Sequence, residues 1–234
     1  MICGLQKMTL LDYPGKVACT VFLGGCNFRC PFCHNSELFM GKPQKLMEDA
    51  EFFAFLEKRK GLLDGVCVSG GEPTLYKNLP EFLAKIKELG FLVKLDTNGY
   101  RPEVIKELAE QNLVDYIAMD VKNSPAKYAQ TVGLETMDLS PIEESLRFLI
   151  DGEVAYELRT TLIAQLHDEA SIQDMGACLE SLVTGKKPKK LFLQSFVDRD
   201  TVLFSGLSAP EPEVTAGFAK ILASFAEEVT IRNP

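Results

Sequence analysis

The stretch that decides the fold is "KVACTVFLGGCNFRCPFCHN", residues 16–35. Its first half is apolar on both faces, as a buried parallel strand is. It runs directly into a loop carrying Cys26, Cys30 and Cys33. The same figure recurs along the chain. Short apolar runs at 64–70, 91–99, 114–122, 155–163 and 190–196 each carry polar groups, most of them at the carboxyl end. Stretches of helical period separate these runs, at 47–60, 79–89, 102–112, 141–151, 171–183 and 213–228. In the second stretch Leu79, Phe82, Leu83, Ile86 and Leu89 form one stripe. Gly90 follows as a stop, and Pro102 marks the next start.

Strand and helix alternating in this way predict βαβ units and a parallel sheet. Periodicity suits an open doubly wound sheet and a barrel equally. The placement of polar residues separates them. "GGEP" (70–73) ends the second strand and "DTNG" (96–99) the third. Asp120 and Lys122 end the fourth, on one face because they are two apart. Arg159 and Thr161 lie in the fifth, and Gln194 lies near the end of the sixth. An open sheet gathers a site at one switch point, whereas a barrel gathers it from every strand. We therefore expect an α/β chain folded as a partial (β/α)6 TIM-type barrel, with a parallel sheet and helices outside. A single domain should span 1–234, with the cysteine loop at 24–35 and a C-terminal extension from about 197. Residues 34–46 read as a loop, and "TGKKPKK" (184–190) as a solvated turn.

Composition narrows the function. The 234 residues are 46% hydrophobic and 25% charged, an ordinary globular balance. Lys and Arg number 25 against 33 Asp and Glu, a net charge of −8. That argues against a phosphate-tracking surface, so nucleic acid is not an expected partner. No apolar run approaches the roughly 18 residues of a membrane span. The first residues lack a basic region followed by an apolar one, so no signal peptide and no membrane are expected. The expected compartment is the cytoplasm, where thiols stay reduced. Seven cysteines there suggest metal binding rather than disulfides.

The spacing C-x3-C-x2-C is odd for a closed metal site, because zinc and electron-transfer clusters usually take four protein ligands. Cys19 and Cys67 fall inside apolar strands and read as small packing residues. Cys3 and Cys178 are isolated, and His34 is too close to Cys33 for both to reach one tetrahedral zinc. Three thiolates can hold a cuboidal [4Fe–4S] cluster whose fourth iron takes a non-protein ligand. S-adenosylmethionine can supply that ligand through its amino and carboxylate groups. The strand-end motifs also read as ordinary turns when each is taken alone. Their conjunction with the cysteines favours a binding site.

The motif C-x3-C-x-aromatic-C, with Phe32 as the aromatic, resembles that of the radical S-adenosylmethionine (SAM) superfamily. "GGEP" resembles the superfamily's motif for the methionine amino group. From about residue 5 to about 200, including "LLDYPGKVACTVFLGGCNFRCPFCHN", the chain resembles the activating proteins of anaerobic ribonucleoside-triphosphate reductase. It is also similar to pyruvate formate-lyase activating enzymes, through "CHN", "DTNG" and the D-x-K of "MDVK". The resemblance implies that Cys26, Cys30 and Cys33 hold the cluster and that Phe32 and His34 lie near the cofactor. Asn35 would sit close to the cluster. The backbone around Gly71 and Glu72 would take the amino group. Asp96, Thr97 and Asp120 would gather near the carboxylate, with a monovalent cation, and Lys122 would touch the cofactor's polar groups. Formate-lyase activators carry a His in the sixth-strand region, where this chain has Gln194, a candidate for the ribose side. Asn35 to Val66 contains no cysteine, so one cluster is expected.

The implied activity is reductive cleavage of S-adenosylmethionine to a 5′-deoxyadenosyl radical. That radical would take hydrogen from a glycine of a partner glycyl-radical enzyme of the anaerobic ribonucleotide reductase type. Flavodoxin or ferredoxin would supply the electron. Two other readings compete: a radical enzyme acting on a small molecule such as a 7-deazaguanine precursor, and a non-catalytic iron–sulfur or zinc module.

Overall fold

The computed structural model describes residues 1–40 and 43–232. Residues 41 and 42 of the expected 34–46 loop, and 233 and 234 of the C-terminal extension, lie outside the described residues. Among the described residues there are eight strands and seven α-helices. The strands are β1 (Ile2–Thr9), β2 (Ala18–Leu23), β3 (Gly65–Gly70), β4 (Leu92–Thr97), β5 (Tyr116–Asp120), β6 (Ala155–Leu162), β7 (Lys190–Ser195) and β8 (Glu228–Arg232). The helices are α1 (Asp49–Glu57), α2 (Leu79–Glu88), α3 (Pro102–Glu110), α4 (Pro125–Thr131), α5 (Ser140–Asp151), α6 (Glu169–Leu182) and α7 (Pro212–Leu222).

The sheet runs β1 to β8 in chain order. A doubly wound sheet reverses its strand order at a switch point, and this order has no reversal. Right-handed crossovers then place the connecting helices on one face. This is the strand order of a TIM-type barrel, as expected for an α/β chain of this pattern. The sheet is mostly parallel: β2 pairs with β3, β3 with β4, β6 with β7 and β7 with β8 in parallel, and β1 pairs antiparallel with β2.

The chain divides into two compact units. The first comprises Met1–Asn27, Asn35–Thr97 and Glu103–Ala118. Here α2 buries Leu79, Phe82, Leu83 and Ile86, the stripe read from the sequence apart from its last member. Phe82 stacks on Phe52 of α1 with ring centroids 5.5 Å apart. Such a pair contributes about 1 kcal/mol beyond the area it buries. Gly90, at φ 90°, ends the α2 turn as expected. At the far end of β4, Asp115 accepts from Lys87 at 2.6 Å and from the Val93 N–H at 2.7 Å.

The second unit comprises Phe28–His34, Asn98–Pro102 and the chain from Met119 onward. Its α6 starts two residues earlier than expected because Asp168 caps it, accepting from the Ser171 N–H at 2.8 Å. The last strand is clamped by Arg232. Its guanidinium forks onto Glu157, which is 1% exposed, at 3.0 and 2.9 Å. The same group lies 3.4 Å from the centroid of the Phe192 ring.

All six expected strands are present. Three differences have physical causes. β1 was not anticipated because it is an edge strand with a half-exposed, polar pattern. The helix expected at 213–228 stops at Leu222, and the chain turns into β8, whose Glu228 pairs with Lys190 of β7. Helix α4 is only seven residues long, too short for a periodic signal. The described residues of the 34–46 segment form a loop, apart from one 3-10 turn at Ser36–Leu38.

Candidate active site

In the first unit, β2 leads through Gly24 and Gly25 to Cys26. The "GGEP" turn packs directly on this exit. The Gly71 N–H donates to Leu23 O at 2.9 Å, and the Glu72 N–H to Gly25 O at 2.8 Å. A Cβ on Gly71 would fall 2.0 Å from Gly25 O and 3.2 Å from the Cys26 Cβ. At Gly70, with φ 126°, it would fall 2.3 Å from Leu23 O. The double glycine is therefore required by close approach of two backbones, one of them carrying Cys26. Asn35, just past the cysteine loop, donates its side-chain amide to Gly70 O at 3.0 Å.

The Glu72 side chain is 1% exposed. Its Oε1 accepts from the Thr74 N–H at 3.1 Å, Thr74 Oγ1 at 2.6 Å and Thr97 Oγ1 at 2.8 Å. "GGEP" is thus bonded to "DTNG" through a buried carboxylate. Next to Thr97, Asp96 accepts from Ser69 Oγ at 2.9 Å on Oδ2 and from Lys94 Nζ on Oδ1.

In the second unit, Cys30 and Cys33 share a turn in which the Cys33 N–H donates to Cys30 O at 3.1 Å. Phe32 is buried between them in sequence, and Lys122 Nζ lies 5.9 Å from its ring centroid. Asp120 joins two cations. Its Oδ2 accepts from Lys122 at 2.8 Å and its Oδ1 from Arg159 Nε at 3.0 Å. Burial pulls the Lys122 ammonium pKa down, but the Asp120 carboxylate and Cys30 outweigh this and hold it above the usual lysine value. His34 stacks on Phe196 at 5.6 Å, and its Nε2 lies 2.6 Å from Val197 O. Gln194 sits on β7 in register with Thr161 of β6 and Arg232 of β8.

Two residues of this unit carry weight that sequence reasoning did not assign. His167 is buried, accepts from the Ile163 N–H at 3.1 Å on Nδ1 and sits 2.9 Å from Lys122 O on Nε2. Burial lowers its pKa below the ordinary histidine value. Tyr128 is buried, with its hydroxyl 3.5 Å from Asp120 O, and burial raises its pKa.

Of the remaining cysteines, Cys19 and Cys67 are packed inside strands as expected. Cys19 and Cys67 are fully buried, and burial pushes the Cys19 thiol up to about 12. Burial also raises Cys3 and Cys178. Among the described residues no three His, Cys, Asp or Glu side chains form a ready metal site. Cys26, Cys30 and Cys33 are free thiols, soft donors of the kind that suits an iron–sulfur cluster.

The family profile of the radical SAM superfamily matches residues 20–169. The chain belongs to the radical SAM superfamily. Membership makes it a radical SAM enzyme and implies a [4Fe–4S] cluster and S-adenosylmethionine. A relative from Methanocaldococcus jannaschii, provisionally named as a glycyl-radical enzyme activating enzyme, is 34% identical over 100% of this chain and 96% of its own. A pyruvate formate-lyase-activating enzyme of Listeria monocytogenes is 29% identical, covering 93% of this chain and 94% of its own. The crystal structure of a domain of a pyruvate-formate lyase-activating enzyme from Bacteroides vulgatus superposes with a TM-score of 0.58 at 22% identity. That match covers 72% of this chain and 98% of the other, and shows the shared fold. No helix among the described residues is long and apolar enough to cross a membrane.

Ser69, Lys94 and Thr74 hold candidate residues in place and were not anticipated from the sequence. A signal existed for two of them. Lys94 is two before Asp96 on one strand, and Thr74 follows Glu72 at the Asx-turn-like spacing of two. Ser69 is a cross-strand neighbour and carries no local signal.

Proposed function

We propose that this radical SAM enzyme activates a glycyl-radical enzyme, of the anaerobic ribonucleotide reductase type. What supports it most is similarity along the entire chain to a protein provisionally named as a glycyl-radical enzyme activating enzyme. A [4Fe–4S] cluster held by Cys26, Cys30 and Cys33 would pass one electron, taken from reduced flavodoxin or ferredoxin, to bound S-adenosylmethionine. That chemistry would supply methionine and a 5′-deoxyadenosyl radical able to take a hydrogen atom from a glycine Cα, leaving 5′-deoxyadenosine and a glycyl radical.

In this reading the chain acts as one domain, in the reducing cytoplasm, and its residues divide the work. Cys26, Cys30 and Cys33 bind the cluster as thiolates. The cofactor's ammonium is a donor, so it needs acceptors. Gly71 and Glu72 have committed their N–H groups to Leu23 and Gly25, and their turn serves it with carbonyls. Asp96, Thr97 and Asp120 serve the carboxylate end. Lys122, oriented by Asp120, supplies the cation that a carboxylate requires. Phe32 and His34 line the cofactor side, Asn35 steadies the cluster loop against Gly70, and Gln194 serves the ribose by hydrogen bonding.

The test is anaerobic reconstitution with iron and sulfide, then dithionite and S-adenosylmethionine. The expected result is 5′-deoxyadenosine release that Cys26→Ala, Cys30→Ala and Cys33→Ala each abolish. A glycyl radical signal should appear when an anaerobic ribonucleotide reductase is added. Release unaffected by the three substitutions would sink the radical reading. Release with a radical only on a formate-lyase type partner would sink the choice of partner.

A further inference from the structure

Lys94 is 1% exposed, one of the largest fully buried side chains in the protein. It lies on β4 two residues before Asp96 and so shares its face. Its ammonium donates to Asp96 Oδ1 and lies 3.8 Å from Sγ of Cys67, its register partner on β3. The other Asp96 oxygen accepts from Ser69 at 2.9 Å. A buried ammonium is expensive to place and persists only against a fixed anion. Here that anion is the carboxylate expected to receive a monovalent cation at the cofactor's carboxylate end. An alkali ion on Asp96 would compete for an oxygen that already holds an ammonium, and would sit beside a like charge. The positive charge that such an ion would bring is therefore already delivered by the chain itself.

We propose that Lys94 is a positioning residue that takes the place of the monovalent cation at Asp96, so that cofactor binding needs no alkali ion. This deepens the proposed function and rests on its assignment of Asp96 to the carboxylate end of S-adenosylmethionine. Lys94 acts through Asp96. It fixes that carboxylate's orientation together with Ser69, and it neutralises it so that a second carboxylate can approach. A sulfonium-bearing zwitterion then meets a paired Asp96 rather than a bare one.

The experiment titrates S-adenosylmethionine into the reduced, reconstituted protein and reads the change in the cluster's spin-resonance signal. Parallel samples contain potassium chloride, sodium chloride or tetramethylammonium chloride as the only added salt. The wild type should half-saturate at the same cofactor concentration in all three. Lys94→Met should bind about tenfold more weakly in tetramethylammonium and regain affinity in potassium or sodium. Recovery by an alkali ion is a response that a merely structural lysine would not give. A wild type that binds about tenfold more weakly in tetramethylammonium overturns the proposal, and this arm decides even if Lys94→Met fails to fold. A folded Lys94→Met that is indifferent to the salt also overturns it. If the cofactor leaves the wild-type cluster signal unchanged in every salt, the assignment of the cofactor site itself fails, which is a different outcome.

Discussion

Thr97 donates its hydroxyl to Glu72 Oε1 at 2.8 Å, and both side chains are buried. Two strand-end motifs 25 residues apart are thereby one hydrogen-bonded unit. Thr97→Val keeps the shape and removes the donor. Glu72 then loses this donor and keeps those of Thr74. The expected cost is about 1–2 kcal/mol, read as a lower urea midpoint of the cluster-free protein, with Thr97→Ser close to wild type.

Asp120 is the hinge between Lys122 and Arg159. Asp120→Asn leaves two half-buried cations facing a neutral amide. About 2 kcal/mol of stability should be lost, measurable by denaturation at neutral pH. The Lys122 ammonium also loses the first group that opposes its burial, so its pKa should fall. Cofactor affinity should drop in parallel, because Lys122 is no longer oriented.

Acid should loosen the second unit through His167. The folded chain holds this imidazole neutral, with its pKa below the ordinary 6.5. The unfolded chain takes up a proton at about 6.5, so unfolding gains a proton in acid. The contribution is complete above pH 6.5 and is lost as pH falls from there toward the lower native value. The slope reaches at most about 1.4 kcal/mol per pH unit. Urea midpoints between pH 5 and 8 should show it, and His167→Gln should flatten it. Asp168, held near 2 chiefly by Lys127, titrates below this window.

Gly71→Ala should be among the most damaging single changes. Its Cβ would sit 2.0 Å from a backbone oxygen that cannot swing away. Either the turn or the Cys26 exit must move, at a cost of about 3 kcal/mol or more. Iron content after reconstitution should fall together with the melting temperature.

The elements legible in the sequence are those buried on both faces. β2 to β7 read as apolar runs because helices cover the sheet, and each carries its polar groups near one end. β1 and β8 lie at the edges, where one face meets solvent and the pattern weakens. The cysteine loop and the strand-end acids were readable because a loop motif is local. Their partners were not. Arg159 meets Asp120 across strands, and Ser69 reaches Asp96 across 27 residues. Such pairs depend on register, which no single segment encodes.

Four of the seven thiols are shielded by burial. Cys19 and Cys67 have no access to solvent, and Cys19 would need strongly alkaline conditions to ionise. Cys3 and Cys178 are also held above the ordinary thiol value. A thiol that stays protonated is a poor nucleophile toward alkylating agents and peroxide. Alkylating agents should therefore spare Cys19 and Cys67 in the folded, cluster-free chain. A label found on either would report unfolding of the strand that carries it.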